Sequence, residues 1–330
     1  MTKPETPDEK PVESQSPKEI ARKVQFIEVT EDSEAQRIDN FLCARLKGVP
    51  RTRIYRIIRK GEVRVNKGRI KADYKLKPGD VVRVPPIRIA EPNELPQAGK
   101  GLKQAIEEAV LYEDDSLLVI NKPSGLAVHG GSGIKLGLIE TLRQLRPEAK
   151  FLELVHRLDR DTSGCVMVAK KRSMLRYLHD LLRTNGVTKH YQALVMGNWP
   201  TRKTKVDAPL QKNTLQSGER MVVASAEGKP SLTRYEVRQR FAGYTLVQAY
   251  PVSGRTHQIR VHCQFAGHSI AGDEKYTDED DNKRLKTMGL RRLFLHAESL
   301  EFPLPETGKV LRIEAPLDGA LQSFLTKLDQ

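Results

Sequence analysis

The stretch His156-Arg157-Leu158-Asp159-Arg160-Asp161-Thr162-Ser163-Gly164 sets carboxylates among basic side chains, just ahead of the apolar run Cys165 to Ala169. A second basic stretch, Gly254-Arg255-Thr256-His257-Gln258-Ile259-Arg260-Val261-His262, follows later in the chain. An ionised carboxylate can serve as a nucleophile, as a base or as a stabiliser of developing positive charge. In a pocket partly closed to water, a guanidinium keeps it ionised through a charge-assisted pair. The two stretches together point to a site built from one aspartate and an arginine partner. By residue type alone Asp159 and Asp161 compete for the role. A salt-bridged carboxylate in a plain loop, and a turn arginine after Gly254, remain open readings.

The elements around these stretches must hold them in place. Leu117 to Ile120 forms a compact apolar strand, closed by the turn Asn121-Lys122-Pro123-Ser124-Gly125. Leu138 to Leu145 is expected to be helical, Val166 to Ala169 a buried strand, and Lys170 to Leu182 a helix with Met174, Leu175, Leu178, Leu181 and Leu182 on one face. Alternation in Tyr191–Val195, Thr233–Arg238 and Tyr244–Ala249 predicts strands, while Ile259 to His262 could begin a helix or extend a strand. Several strands with few helices between them predict an α+β domain over residues 108–330, with a mixed, largely antiparallel sheet and helices to one side.

A different module precedes it. Residues 24–85 are expected to form a strand, two short helices and a small curled sheet, with Pro50 opening the second helix, Arg51 to Arg59, and Gly61 ending it. Ile54, Tyr55, Ile57 and Ile58 form that helix's apolar face. Twelve basic and three acidic residues lie between Arg51 and Arg83, and Arg53, Arg56, Arg59 and Lys60 make a stripe able to neutralise successive phosphates. The plain alternative is a solvated basic face. Residues 86–107, rich in Pro and Gly, read as a linker with a short helix near Leu102 to Val110, and residues 1–23 as a disordered polar tail.

The whole chain of 330 residues has 56 Lys+Arg against 42 Asp+Glu, a net charge of +14, which favours a polyanionic partner. No apolar run is long enough to span a bilayer, and the N-terminus lacks a signal-peptide core, so no membrane association is expected. Three widely spaced cysteines suit reduced thiols in the cytoplasm. His and Cys form no zinc-ligand spacing, and there is no phosphate loop, dinucleotide fingerprint or nucleophile elbow. Neither metal nor organic cofactor is expected.

The stretches HRLDRDTSG and GRTHQIRVH together resemble the signature of the pseudouridine synthases that act on ribosomal and transfer RNA. Arg37-Ile38-Asp39, Gly61-x-Val63-x-Val65-Asn66 and Gly79-Asp80 resemble the S4 RNA-binding domain. The likeness spans most of residues 36–300, with the two modules in the family's order. It places the catalytic aspartate on Asp159 and its arginine partner on Arg255. Lys189-His190-Tyr191 resembles the family's Lys-x-Tyr segment, which puts Tyr191 against the uracil and Lys189 near the pocket or the phosphates. Without the likeness, Tyr191 reads equally well as a core aromatic.

Arg157 takes the place of an arginine that enters the RNA stack when the target nucleotide is flipped out. Leu293 and Leu295, in a segment similar to the one that closes the family's catalytic domain, are expected to line the uracil pocket from one strand face. His257, Arg260 and His262 read as structural or RNA-facing groups. The implied substrate is large-subunit ribosomal RNA, naked or in assembly intermediates, modified by a monomer at three uridines. Two other classes compete: a ribosome-associated binding protein without activity, and a nucleosidase releasing free uracil.

Overall fold

A computed structural model describes residues 19–21, 23–46, 48–90, 96–131, 136–214 and 220–330. Most of the expected tail, residues 1–18 and 22, lies outside that set. The chain divides into two compact units, Met1–Glu94 and Leu95–Gln330.

In the first unit, helices Ile38–Arg45 and Arg51–Arg59 pack over a four-stranded sheet of Gln25–Glu28, Arg64–Val65, Gly68–Arg69 and Val81–Val84. Ile54, Ile57 and Ile58 enter a core with Ile38, Phe41, Leu42 and Val82. Tyr55 does not join them. It is exposed, and its hydroxyl donates to Asp39 Oδ2 at 2.7 Å, because a phenol can bond at the surface where an alkyl chain cannot. Asp80 is buried and accepts from Asn66 Nδ2 (2.8 Å), the Tyr74 hydroxyl (3.0 Å) and the Lys77 backbone (2.9 Å). These bonds tie together turns that the sequence marks with Asn66 and Asp80.

Neither the tail nor the linker is wholly free chain. Glu19–Ala21 pairs antiparallel with Arg88–Ala90 inside the first unit. Lys100–Glu108 is the expected short helix, but it belongs to the second unit, where Ile106 is buried with Leu138 and Leu142 of the helix Leu138–Leu145. The burial of one apolar helix face decides this against the Pro/Gly composition around it.

The second unit is built on a ten-stranded sheet. Its order runs Lys205–Asp207, Leu232–Phe241, Tyr244–Pro251, Thr188–Met196, Leu295–Pro303, Ser163–Ala169, Leu117–Lys122, Val110–Glu113, with two short strands pairing off this path. Among the described residues every pairing in it is antiparallel except Ser163–Ala169 with Leu295–Pro303. Helices cover both faces at Ser163–Ala169, not one. Its period-two alternation sends Cys165, Met167 and Ala169 toward Met174 and Leu178 of the helix Arg172–Arg183, and Val166 and Val168 toward Leu138, Ile139 and Leu142. The stretch Ile259 to His262 resolves as helix, within Gln258–Phe265.

The parallel junction is tight where the strand leaves the Asp159 loop. Gly164 pairs with Ala297 at φ +110°, and a Cβ there would overlap the Ala297 backbone. Beside it the His296 Nε2–H donates to the Ala315 carbonyl (3.0 Å), which leaves Nδ1 to accept from the Ser163 hydroxyl (2.9 Å). Ser163 Oγ in turn accepts from Arg292 Nη2 at 2.7 Å. Gly164→Ala combines a strained φ with a backbone clash and should cost about 3 kcal/mol or more. Urea unfolding reads the difference, and wild-type stability would show that the junction has slack.

Candidate active site

The turn after Leu117–Lys122 latches the loop that carries Asp159. Lys122 is buried, and its Nζ donates to the carbonyls of Pro123 (2.9 Å), Leu126 (2.8 Å) and Arg160 (2.9 Å). Burial pulls its pKa down to about 7, opposed by the charges of Asp161 and Asp159. Three carbonyl acceptors match the three N–H donors of an ammonium. The Ser124 hydroxyl donates to the Asp161 carbonyl (2.7 Å) and the Gly125 N–H to that of Arg160 (2.9 Å). The Asp161 side chain, the competitor by residue type, instead pairs with its neighbour Arg160 at the surface (2.9 Å).

Asp159 lies in a cleft of about 670 Å³. The cleft is lined by the Asp159 loop, by the strand Thr188–Met196, and by residues 251–260 leading into the Gln258–Phe265 helix. Arg157, Lys189, Tyr191, Arg255 and Leu295 all line it with Asp159. Leu293 does not. It precedes the strand Leu295–Pro303 and packs in the core with Phe294 and Leu290, so the two leucines share no strand face.

The arginine beside Asp159 is Arg260 and not Arg255. Arg260 Nη1 lies 3.6 Å from Asp159 Oδ2. Arg255 is exposed at the rim, where its Nε donates to the Pro230 carbonyl (3.3 Å) and its backbone N–H to Gln258 Oε1 (3.0 Å). The physical reason is the helix start. Arg255 lies in the loop before it, whereas Arg260 sits in the first turn, whose side chains lean back toward the N-terminal end. Arg255 also lines a neighbouring groove of about 440 Å³ with Lys212 and Lys229.

Arg260 is almost fully buried and holds Asp273 through two bonds of 2.7 Å, Nε to Oδ2 and Nη2 to Oδ1. Burial acts to lower its pKa, but the Asp273 bond and charge together with the Asp159 charge leave it raised. The Tyr276 ring centroid lies 5.0 Å from its Cζ. His257 opens the helix in the left-handed region (φ 53°, ψ 21°) and brings Nε2 to 3.9 Å from Asp159 Oδ2, while Nδ1 bonds the Tyr276 hydroxyl at 2.8 Å. Burial lowers the His257 pKa against the pull of Asp159.

On the opposite wall, burial pushes the Tyr191 phenol up, and the Asp159 charge adds to the shift. Burial also lowers the Lys189 ammonium. The site therefore offers one carboxylate, one guanidinium fixed from behind and one protonated phenol, a set suited to chemistry at an electron-poor carbon. Lys122, Asp273 and Tyr276 have no site role from sequence, and Arg260 only that of a structural or RNA-facing group. Asp273 follows the apolar Ile270-Ala271-Gly272, and a carboxylate in such a setting is the one signal that marks a buried ion pair.

In the first unit, Arg53, Arg56, Arg59 and Lys60 line a groove of about 500 Å³ with Pro50 and Thr52. The basic stripe is thus an open surface of the Arg51–Arg59 helix.

Comparison with known proteins agrees with both units. Residues 116–265 match the family of RNA pseudouridylate synthases, and residues 36–82 match the S4 domain. The chain is similar to ribosomal large subunit pseudouridine synthase C of Haemophilus influenzae, 57% identical over 316 residues, covering 95% of this chain and 98% of the relative. It is 59% identical over 306 residues to the protein of that name from Yersinia pestis, covering 92% and 96%. Among solved structures it resembles human RNA pseudouridylate synthase domain containing 4, with a TM-score of 0.57 and 30% identity over 69% of this chain and 96% of that one.

His156, which lines the cleft, has its Nε2 accepting the Met167 N–H at 3.1 Å, and burial with the Lys189 charge lowers its pKa to about 4. Between the ordinary 6.5 and 4 the unfolded chain takes up a proton that the folded chain refuses, so stability falls as pH drops through that window. His156→Gln should lose less stability than the wild type across it, measured by urea unfolding at its two ends. Equal losses would show that His156 protonates freely in the folded protein.

Proposed function

Since the chain belongs to the RNA pseudouridylate synthase family, we propose that it converts specific uridines of large-subunit ribosomal RNA to pseudouridine, at three sites. The observation that carries this reading is Asp159 facing the buried Arg260 in a cleft that also presents Arg157, Lys189 and Tyr191. The curated relatives are named for the large ribosomal subunit, and the S4 unit adds a basic surface suited to structured RNA.

The reaction breaks the N1–C1′ bond of uridine, turns the uracil and joins C5 to C1′. The C5 proton is lost and N1 regains one, so atoms and redox level balance within the nucleotide. The target must leave its stack before protein groups can reach C1′ and C5. Arg157, exposed at the cleft, fills the vacated space with a planar cation that stacks and binds phosphate. Tyr191 lies against the flipped uracil, and its raised pKa keeps it a neutral phenol next to Asp159. Asp159 acts on the flipped nucleotide as an anion, and Arg260 keeps that anion stable in a cleft closed by RNA. Lys189 supports the pocket, Leu295 forms an apolar wall, and Arg255 at the rim meets the RNA backbone.

Asp159→Asn keeps the shape and removes the charge, so it should bind RNA normally and form no pseudouridine. Mapping pseudouridine in cells lacking the gene should show loss at large-subunit sites, restored by wild type and not by Asp159→Asn. Loss confined to transfer RNA would overturn the substrate. Unchanged uridines throughout would indicate a binding protein, and release of free uracil a nucleosidase.

The S4 stripe has its own test. Replacing Arg53, Arg56 and Arg59 together by Ala should weaken RNA binding and lower the slope of log affinity against log salt by about 2 to 3. An unchanged slope would remove these residues from the RNA contact.

A further inference from the structure

Asp273 is fully buried and lies outside the cleft lining, yet it holds the group that faces Asp159. Its two oxygens take the Nε and Nη2 of Arg260, both at 2.7 Å, which leaves Nη1 toward Asp159 at 3.6 Å. Oδ1 also accepts the backbone N–H groups of Lys275 (2.9 Å) and Tyr276 (3.2 Å), and the Asp273 carbonyl accepts from Asn282 Nδ2 (3.0 Å). The carboxylate is therefore fixed by its own turn. Gly272 just before it has φ +76°, and a Cβ there would overlap the Arg292 carbonyl, so the turn is pinned against neighbouring backbone.

We infer that Asp273 is a positioning residue for the isomerisation, aiming the Arg260 guanidinium at Asp159 while preventing the two from closing into a bidentate pair. The inference rests on the reading of Asp159 as the reacting carboxylate. A guanidinium with a free fork closes on the nearest carboxylate, because two parallel charge-assisted bonds are stronger than one. Here the fork is already occupied, and Arg260 can offer Asp159 only one edge. With Asp273 balancing the Arg260 charge, Asp159 keeps its own negative charge available and its side chain free to reach the nucleotide. The Tyr276 ring beside the guanidinium limits its rotation further.

The test compares wild type, Asp273→Asn, Arg260→Lys and the double variant by single-turnover rate and by RNA affinity. Asp273→Asn should slow the chemical step by about 100-fold, the scale of losing one preorganised electrostatic group, with RNA affinity unchanged. If Asp273 acts through Arg260, the same change in the Arg260→Lys background should cost far less than in wild type. Full multiplication of the two losses, or a wild-type rate for Asp273→Asn, would overturn the inference.

If Asp273→Asn loses its fold by circular dichroism, the wild-type enzyme still decides. The Arg260 Nε–H must then give a resolved NMR resonance that exchanges slowly with water, and exchange as fast as a surface arginine would overturn the assignment. An active Asp159→Asn would refute the reading of the site itself, whereas an inactive one beside a fully active Asp273→Asn refutes only the role of Asp273.

Discussion

A guanidinium withdrawn from water and shared between two carboxylates is the constraint on which this site depends. Burying an arginine costs on the order of several kcal/mol unless its charge and donors are answered, as for any desolvated ion. Asp273 answers it from inside the protein with two bonds, and Asp159 answers it from the cleft. Each of the three charges sits where the other two require it. The short helix Gln258–Phe265 supplies Arg260, the turn at 273–276 supplies Asp273, and the loop before Ser163–Ala169 supplies Asp159.

The sheet brings these parts within reach. Its one parallel pairing among the described residues lets the strand from the Asp159 loop run beside Leu295–Pro303, which in turn pairs with the strand carrying Tyr191. Gly164 permits the close approach, and the Arg292–Ser163–His296 chain of hydrogen bonds seals it. On the other side Lys122 holds the Arg160 carbonyl, one residue past Asp159. The loop is thus gripped from both sides, which fixes the carboxylate in place before any substrate arrives.

Much of this was visible in the residues. The helix Arg51–Arg59 follows from apolar periodicity and start and stop signals, Leu138–Leu145 is helical as expected, and the expected strand Val166 to Ala169 is part of the longer strand Ser163–Ala169. Asp159 stood out because basic residues surround it just ahead of an apolar run, and Ser163 and Gly164, which could read as a turn, belong to the strand itself. The choice of arginine was not visible, since Arg255 and Arg260 differ only in their place relative to a helix start that periodicity left open. Leu293 and Tyr55 failed for a related reason. Spacing places a residue on an expected face, but packing decides whether the backbone is already in that element and whether a polar tip turns outward. Asp273 was missed because spacing alone does not pair it with Arg260, and only the fold brings the two together.

The most direct measurement compares Arg260→Lys with Arg255→Lys in single-turnover pseudouridine formation, alongside RNA affinity for each. Arg260→Lys should lose the bidentate hold on Asp273 and slow the chemical step by about 100-fold at unchanged affinity. Arg255→Lys should keep a rate near wild type, since Arg255 lies at the rim, bonded to the Pro230 carbonyl and not beside Asp159. A slow Arg255→Lys beside a normal Arg260→Lys would contradict this assignment of the arginine.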